Sequence, residues 1–387
     1  MNKEIHLSLT SKNSHKIFLP LGQGSLAIGT MDMDKKLFDV LVEENAKINW
    51  DAFNTHFTGH GEQNKDKHLY GDWPRFFYYS GDDIGFTKWT EKRHTEDFSW
   101  TPQNPVSANF TKSYIRNLKI HSNNTTIKIK LGKTITNLTL SGTIEKFSIQ
   151  SNDGITSLNL QPNILEKETY QVPKIPHFEN ISSLDITTKP LGQPLDCKSL
   201  LQFRKVTNLS LSGNLTNLVY LQHLDKLKRL AIRYAPNLTD LPALQEWKSL
   251  ISFIAWNVEE SKGKLLRKEL KNLARERQLE YSSVSQLRKT IWFTTEYGIP
   301  FFAWTGKQAK LAVKIYKATV KKLQKAKTET EIKYFIQEFT KTFNDFANIE
   351  TTEREYIAEA VNQLRQVPMI KIDTNKTSQW FDECREY

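Results

Sequence analysis

A six-residue pattern recurs along the middle of the chain, with apolar residues at its first, fourth and sixth positions. Successive copies begin 20, 20, 26, 25, 21 and 23 residues apart. They start at Ile115, Ile135, Ile155, Ile181, Val206, Leu227 and, in a looser form, Leu250. Because side chains alternate between the two faces of a β-strand, each copy predicts a short strand that buries its fourth and sixth residues.

Three copies carry an asparagine three residues after the second buried position, at Asn123, Asn163 and Asn214. An asparagine side chain both donates and accepts hydrogen bonds, so it pairs backbone groups that a tight turn leaves buried. With this L-x-x-L-x-L-x-x-N pattern and this period, the segment resembles leucine-rich repeats. The resemblance implies a β-solenoid. The alternative is an antiparallel β-sandwich, which the near-constant spacing and the recurring asparagine disfavour.

The first 110 residues follow a different pattern. Alternating apolar residues predict strands near Ile5 and near Ile17, and ten phenylalanine and tryptophan residues lie between Trp50 and Trp100. The end of a stack of repeats exposes an apolar face unless another element covers it. We therefore expect residues 1–110 to form an aromatic-rich α/β cap with a core of its own.

Beyond residue 260 the apolar spacing becomes helical. Residues 262–279 are predicted to form a helix that closes the solenoid. Three further helices are predicted over about 306–327, over about 329–347 and up to Pro368, in a small bundle. The complete prediction is an α+β fold with an N-terminal cap (1–110), a leucine-rich-repeat-like solenoid (111–260), a basic helical domain (261–367) and a tail (368–387).

Composition narrows the class of protein. Hydrophobic residues make up 38% of the 387 residues and charged residues 25%, which is typical of a globular protein. No apolar run approaches the roughly 18 residues of a membrane span. The two cysteines, Cys197 and Cys384, match no metal or redox spacing, and the first ten residues lack a continuous apolar stretch. We therefore expect a cytoplasmic protein without a signal peptide.

The net charge of +11 is concentrated in one segment. Residues 262–327 contain 17 Lys and Arg against 4 Asp and Glu, and the rest of the chain contains 37 against 39. Six lysines, spaced three or four apart, line one side of a predicted helix: Lys307, Lys310, Lys314, Lys317, Lys321 and Lys325. Such a stripe binds phosphates or steers an acidic protein. The alternative is a solvated face with no ligand.

The outward residues of the predicted strands change along the chain. In most copies they are small and polar, whereas the last two copies have large side chains at these positions. Tyrosine, tryptophan and arginine are the residues that anchor protein interfaces. Unless the C-terminal helices cover this end, the candidate partner-binding residues are Arg229, Arg233, Tyr234 and Trp256.

One cluster has residues typical of a metal site. His56 and His60 are four apart, as zinc ligands on a helix are, with His68 and Asp72 nearby. Glycines flank His60, which disfavours a continuous helix, and no glutamate lies between the two histidines. We expect loop histidines and no bound metal.

An acidic cluster contains residues used in acid–base catalysis: Asp82, Asp83, Glu91, Glu96 and Asp97. Serine and glycine surround the first pair, as in a surface turn. The sequence has no recognisable nucleotide-binding loop or catalytic triad. A hydrolase in the N-terminal domain is therefore a hypothesis without a motif.

We expect a non-enzymatic protein-binding module without cofactor or metal. Its partner is expected to be another protein, and an acidic protein is one option. The resemblance to solitary bacterial leucine-rich-repeat proteins implies a scaffold or an immunity protein that neutralises a toxin. The alternative hypothesis is a nucleic-acid-binding protein that acts through the basic C-terminal helices.

Overall fold

The computed structural model describes residues 3–19, 25–55, 76–151, 154–163, 169–188, 194–295, 301, 304, 306–347 and 349–387. Within these residues there are two apolar cores. The first includes buried residues from Ile5 to Val284, and the second includes buried residues from Phe301 to Phe381.

The first core is built on β-strands. In chain order they are β1 (Lys3–Leu7), β2 (His15–Leu19), β3 (Ser25–Thr30), β4 (Val40–Val42), β5 (Phe76–Ser80), β6 (Thr95–Thr101), β7 (Val106–Asn109), β8 (Ile115–Ser122), β9 (Ile127–Lys130), β10 (Asn137–Gly142), β11 (Phe147–Ser151), β12 (Ser157–Pro162), β13 (Ser183–Thr187), β14 (Leu195–Asp196), β15 (Asn208–Ser212), β16 (Leu215–Thr216), β17 (Arg229–Arg233), β18 (Ser252–Trp256) and β19 (Ser283–Ser285).

Twelve of these strands form one parallel sheet, in the order β4-β3-β5-β6-β8-β10-β12-β13-β15-β17-β18-β19. A three-stranded parallel sheet contains β7, β9 and β11, and β14 pairs with β16. Strands β1 and β2 form an antiparallel hairpin.

The helices are α1 (Phe86–Lys92), α2 (Glu260–Glu276), α3 (Thr290–Thr295), α4 (Gly306–Leu323), α5 (Glu329–Lys341), α6 (Thr351–Leu364) and α7 (Thr374–Asp382). Short 3-10 turns cover Lys35–Leu37, Trp50–Thr55, Ile144–Lys146, Cys197–Gln202, Leu218–His223 and Leu244–Glu246. Among the described residues, none of the helices has the length and apolar character needed to cross a bilayer.

The repeated aliphatic residues pair in register across the large sheet. Leu138 lies opposite Leu118 and Leu158, and the alignment continues through Leu184 and Leu209. All five side chains are buried. Burial of each adds about 1.5–3 kcal/mol to the free energy of unfolding. The predicted strands and their inward residues are therefore confirmed.

The predicted fold class is wrong. The structure is an α/β fold on one twelve-stranded parallel sheet, whereas the sequence predicted an α+β protein with a leucine-rich-repeat-like solenoid between separate terminal domains. Strands of the first 110 residues belong to the same sheet, because Phe98 and Trp100 occupy the positions of Leu118 and Ile120 in the neighbouring strand. Aromatic side chains there continue the main core instead of forming a second one.

The second core lies among α4, α5, α6 and α7. Thr328 begins α5 with reciprocal caps: its hydroxyl accepts a bond from the backbone N of Glu331 (3.2 Å), and the Glu331 carboxylate accepts one from the backbone N of Thr328 (3.1 Å). Trp380 and Phe381 of α7 are buried in this core. Residues assigned by sequence to a tail thus help to hold the helices together.

Candidate binding surface at the carboxyl ends of the last strands

The outward face of the large sheet is polar along its middle strands, and three of its side chains, on β6, β8 and β10, bond to one another. The Nδ2 of Asn117 donates to Oδ1 of Asp97 (2.5 Å), and the Nδ2 of Asn137 donates to Oδ1 of Asn117 (2.6 Å). These three residues, which we call the amide ladder, lie opposite one another on β6, β8 and β10. Because the ladder amides are bonded to each other, a partner would have to break these bonds to use them.

The face changes character on β17 and β18. Its middle row becomes apolar with Ala231 and Ile254, and the next row pairs Arg233 with Trp256. Trp256 is 37% exposed although it is a large apolar side chain, and its ring makes an edge contact with Tyr234 at 5.1 Å between centroids. Two of the residues predicted from sequence therefore form one aromatic pair.

The two arginines of β17 have different partners. Arg229 donates to both carboxylate oxygens of Glu280, at 2.9 and 2.8 Å, so its charge is neutralised. Arg233 donates to the hydroxyl of Ser210 at 3.1 Å. Among the described residues, no carboxylate forms an ion pair with Arg233. The structure thus separates the two arginines that sequence grouped together.

A third arginine, Arg288, was missed by sequence reasoning. Its Nε donates to Oδ1 of the buried Asn257 (2.8 Å) and its Nη2 donates to Oε1 of Gln286 (3.0 Å). The guanidinium lies over the ring of Trp292 at 4.4 Å, a cation–π contact. No carboxylate in the described part of the chain pairs with it. No local sequence pattern marked Arg288, because it precedes α3 and its bond to Asn257 is made by the fold.

The backbone at this edge adopts a left-handed conformation three times. Tyr234, Asn257 and Gln286, each directly after its strand, have φ values of 51°, 52° and 53°. This left-handed region costs residues such as Tyr234 and Gln286 about 1–2 kcal/mol, whereas asparagine tolerates it and glycine avoids the cost. Gly213 follows β15 with φ 114°. Strained residues cluster at functional sites, so the retention of large side chains here favours a role for them.

We call this group the aromatic rim. It consists of Arg233, Tyr234, Trp256, Asn257, Gln286, Arg288 and Trp292. It lies at the carboxyl ends of β17, β18 and β19. A groove of about 350 Å³ between α2 and β19 is lined in part by Leu270, Leu279 and Val284, and no rim residue lines it.

The other candidates do not form a site among the described residues. His56, His60, His68 and Asp72 lie outside the residues that the structure describes. Elsewhere in the described chain, no group of three or more His, Cys, Asp or Glu is arranged to hold a metal ion.

The acidic pair of the N-terminal region is engaged in structural bonds. Asp83 accepts from the indole N of Trp50 at 2.7 Å and from the backbone N of Ile48 at 3.1 Å. Its own backbone N donates to the hydroxyl of Tyr79, whose pKa is raised by burial. Asp82 accepts three bonds from Gln103 and Asn104. These bonds fix loops, and Asp82 also lines a small pocket together with Glu43, Glu44 and Gln103.

The predicted lysine stripe lies on α4 and just beyond its end. Five of its lysines are exposed and Lys317 is half-buried, whereas the opposite side of the helix is buried in the second core. The exposed members are Lys307, Lys310, Lys314, Lys321 and Lys325.

No protein-family model, no curated protein and no solved structure matches this chain.

Proposed function

We propose that this protein is a non-enzymatic binding protein whose aromatic rim recognises an acidic segment of another protein. The observation that carries the proposal is an exposed tryptophan, Trp256, beside Arg233 and Arg288, which pair with no described carboxylate. Tryptophan, tyrosine and arginine provide most of the binding energy in protein interfaces.

The bonds of the two arginines support an acidic partner. Arg233 and Arg288 donate only to neutral oxygens within the described residues, and those bonds hold the guanidinium groups in place. A partner carboxylate would add a charge-assisted hydrogen bond, which is about twice as strong as a neutral one. Because the donors are already oriented, little side-chain entropy is lost on binding.

We place this interaction in the cytoplasm, because Cys197 and Cys384 are both free thiols. We propose a toxin that this protein neutralises as one partner of this kind.

The test is quantitative capture of partners from native lysate at low salt, with the full chain as bait. Trp256→Ala should lose the stoichiometric partner that the wild type retains. The matched control is Tyr281→Ala, which removes an aromatic side chain that is 77% exposed and lies outside the rim. No stoichiometric partner with the wild type, or equal loss with both variants, would overturn the proposal.

A further inference from the structure

The most basic part of the chain is α4 with the four residues that follow it. Residues 306–327 contain eight lysines and no aspartate or glutamate. Because the helix rises about 1.5 Å per residue, the row from Lys307 to Lys321 extends about 21 Å. This length matches roughly six phosphates along one strand of a DNA duplex.

The fold fixes these lysines on the outside of the bundle. Tyr316, Val320 and Leu323 of α4 are fully buried, and the hydroxyl of Tyr316 lies 3.0 Å from Oε1 of Gln363 on α6. The helix therefore cannot rotate to hide its charged side without exposing the second core. The row of lysines is a permanent surface feature of the protein.

The acidic residues of the neighbouring helix are engaged elsewhere. Glu329 pairs with Lys376 at 2.7 Å, and Glu338 pairs with Lys341 at 3.7 Å. Glu331 caps its own helix, and the hydrogen bond from the backbone N of Lys327 is the largest cause that lowers its pKa. Within the described residues, no carboxylate forms an ion pair with the five exposed stripe lysines.

The side chains of the stripe distinguish among the possible polyanions. A helix that lies on a membrane surface inserts its apolar face into the lipid. The apolar face of α4 is buried in the second core, and Leu311 is its large apolar side chain that is well exposed, at 47%. A protein interface needs aromatic or arginine anchors, and the exposed side of α4 has neither. Lysines bind phosphates as point charges, which suits attachment to a phosphate backbone without readout of the bases.

We propose that α4 binds the phosphate backbone of nucleic acid without reading its sequence. This activity is separate from the aromatic rim and goes beyond the proposed protein binding. Neutralising five phosphates releases bound counterions, so log Kd should rise with log salt concentration with a slope of about 4.5.

The experiment measures fluorescence anisotropy of two short DNA duplexes of unrelated sequence with the full chain, between about 50 mM and 200 mM NaCl. Both duplexes should bind with equal Kd. The Gln variant at Lys307, Lys310, Lys314 and Lys321 should reduce the slope by about 3.6, because four contacts are lost. Trp256→Ala should leave duplex binding unchanged, so failure here and failure of the rim are distinguishable.

The matched control carries the same change of charge elsewhere, with Gln at the exposed Lys226, Lys248, Lys268 and Lys271. It should retain nearly the whole slope. Equal weakening by both variants would show that only net charge matters and would overturn the proposal. So would no duplex binding at low salt, poly-glutamate competing as well as DNA, or a preference for phosphatidylserine vesicles over DNA. Circular dichroism confirms that each variant is folded.

Discussion

The amide ladder and the aromatic rim lie on the same sheet face but satisfy their polar groups in different ways. In the ladder, the side chain of Asn117 donates a hydrogen bond to Asp97 and accepts one from Asn137. In the rim, Arg233 and Arg288 meet only neutral oxygens among the described residues, and Trp256 stays exposed. From this difference we infer that the ladder stabilises the fold, whereas the rim has the donors that the proposed partner would use.

The largest expected effect is on binding at the rim. Trp256→Ala should weaken binding of the captured partner by about 2–4 kcal/mol, which raises Kd roughly 30- to 1,000-fold, as for an aromatic hot spot. The free energy of unfolding should also fall, by about 1–3 kcal/mol, because the ring contact with Tyr234 and the buried part of the side chain are lost. Isothermal titration calorimetry and urea denaturation measure the two quantities, and an unchanged Kd would contradict the role of the rim.

The next effect distinguishes the arginines. Arg233→Gln with Arg288→Gln should weaken binding by about 2–3 kcal/mol and flatten its dependence on salt, because charged hydrogen bonds to the partner are lost. Arg229→Gln is the control, since Glu280 already neutralises Arg229. Titrations at two salt concentrations measure this contrast. A control as damaging as the double variant would mean that general positive charge attracts the partner.

A smaller effect is expected at the ladder, and in stability rather than in binding. Asn117→Ala removes both ladder bonds and should lower the free energy of unfolding by about 1–2 kcal/mol. Partner affinity should stay at the wild-type value. Urea denaturation measures the free energy of unfolding and calorimetry measures the affinity. A clear loss of affinity would contradict the proposal that the ladder stabilises the fold without binding the partner.

The smallest effect on stability is expected at Tyr234. Tyr234→Gly removes a ring contact worth about 0.5–1.5 kcal/mol and relieves left-handed strain of about 1–2 kcal/mol. The two terms nearly cancel, so the free energy of unfolding should change by less than about 1 kcal/mol while binding falls. Thermal denaturation beside a titration checks this. A large loss of stability would indicate that the residue is retained for folding.

The sequence predicted the strands where aliphatic residues kept their spacing. Leu138 and Leu158 predicted buried strands because each belongs to an alternating aliphatic pattern that recurs at a nearly constant spacing. The strands β5 and β6 were missed, because Phe77 and Phe98 fill the same inward positions with rings. These aromatic residues led to the prediction that residues 1–110 have a core of their own.

The candidate site was predicted only in part. Arg233, Tyr234 and Trp256 were visible because their side chains break a run of small polar residues. Arg288 was not, because it reaches the rim through its bond to Asn257, a contact between residues 31 positions apart that no local pattern encodes. The left-handed backbone of Tyr234 could not be predicted either, because tyrosine has no preference for that conformation.

Hydroxyl-radical footprinting of the complex with the captured partner tests the rim most directly. Trp256 should become protected from oxidation when the partner binds. Tyr78, which is 50% exposed on the same face of β5, should keep its free rate of oxidation. Protection of Tyr78 with Trp256 still reactive would contradict the account, because the partner would then occupy the opposite end of the sheet.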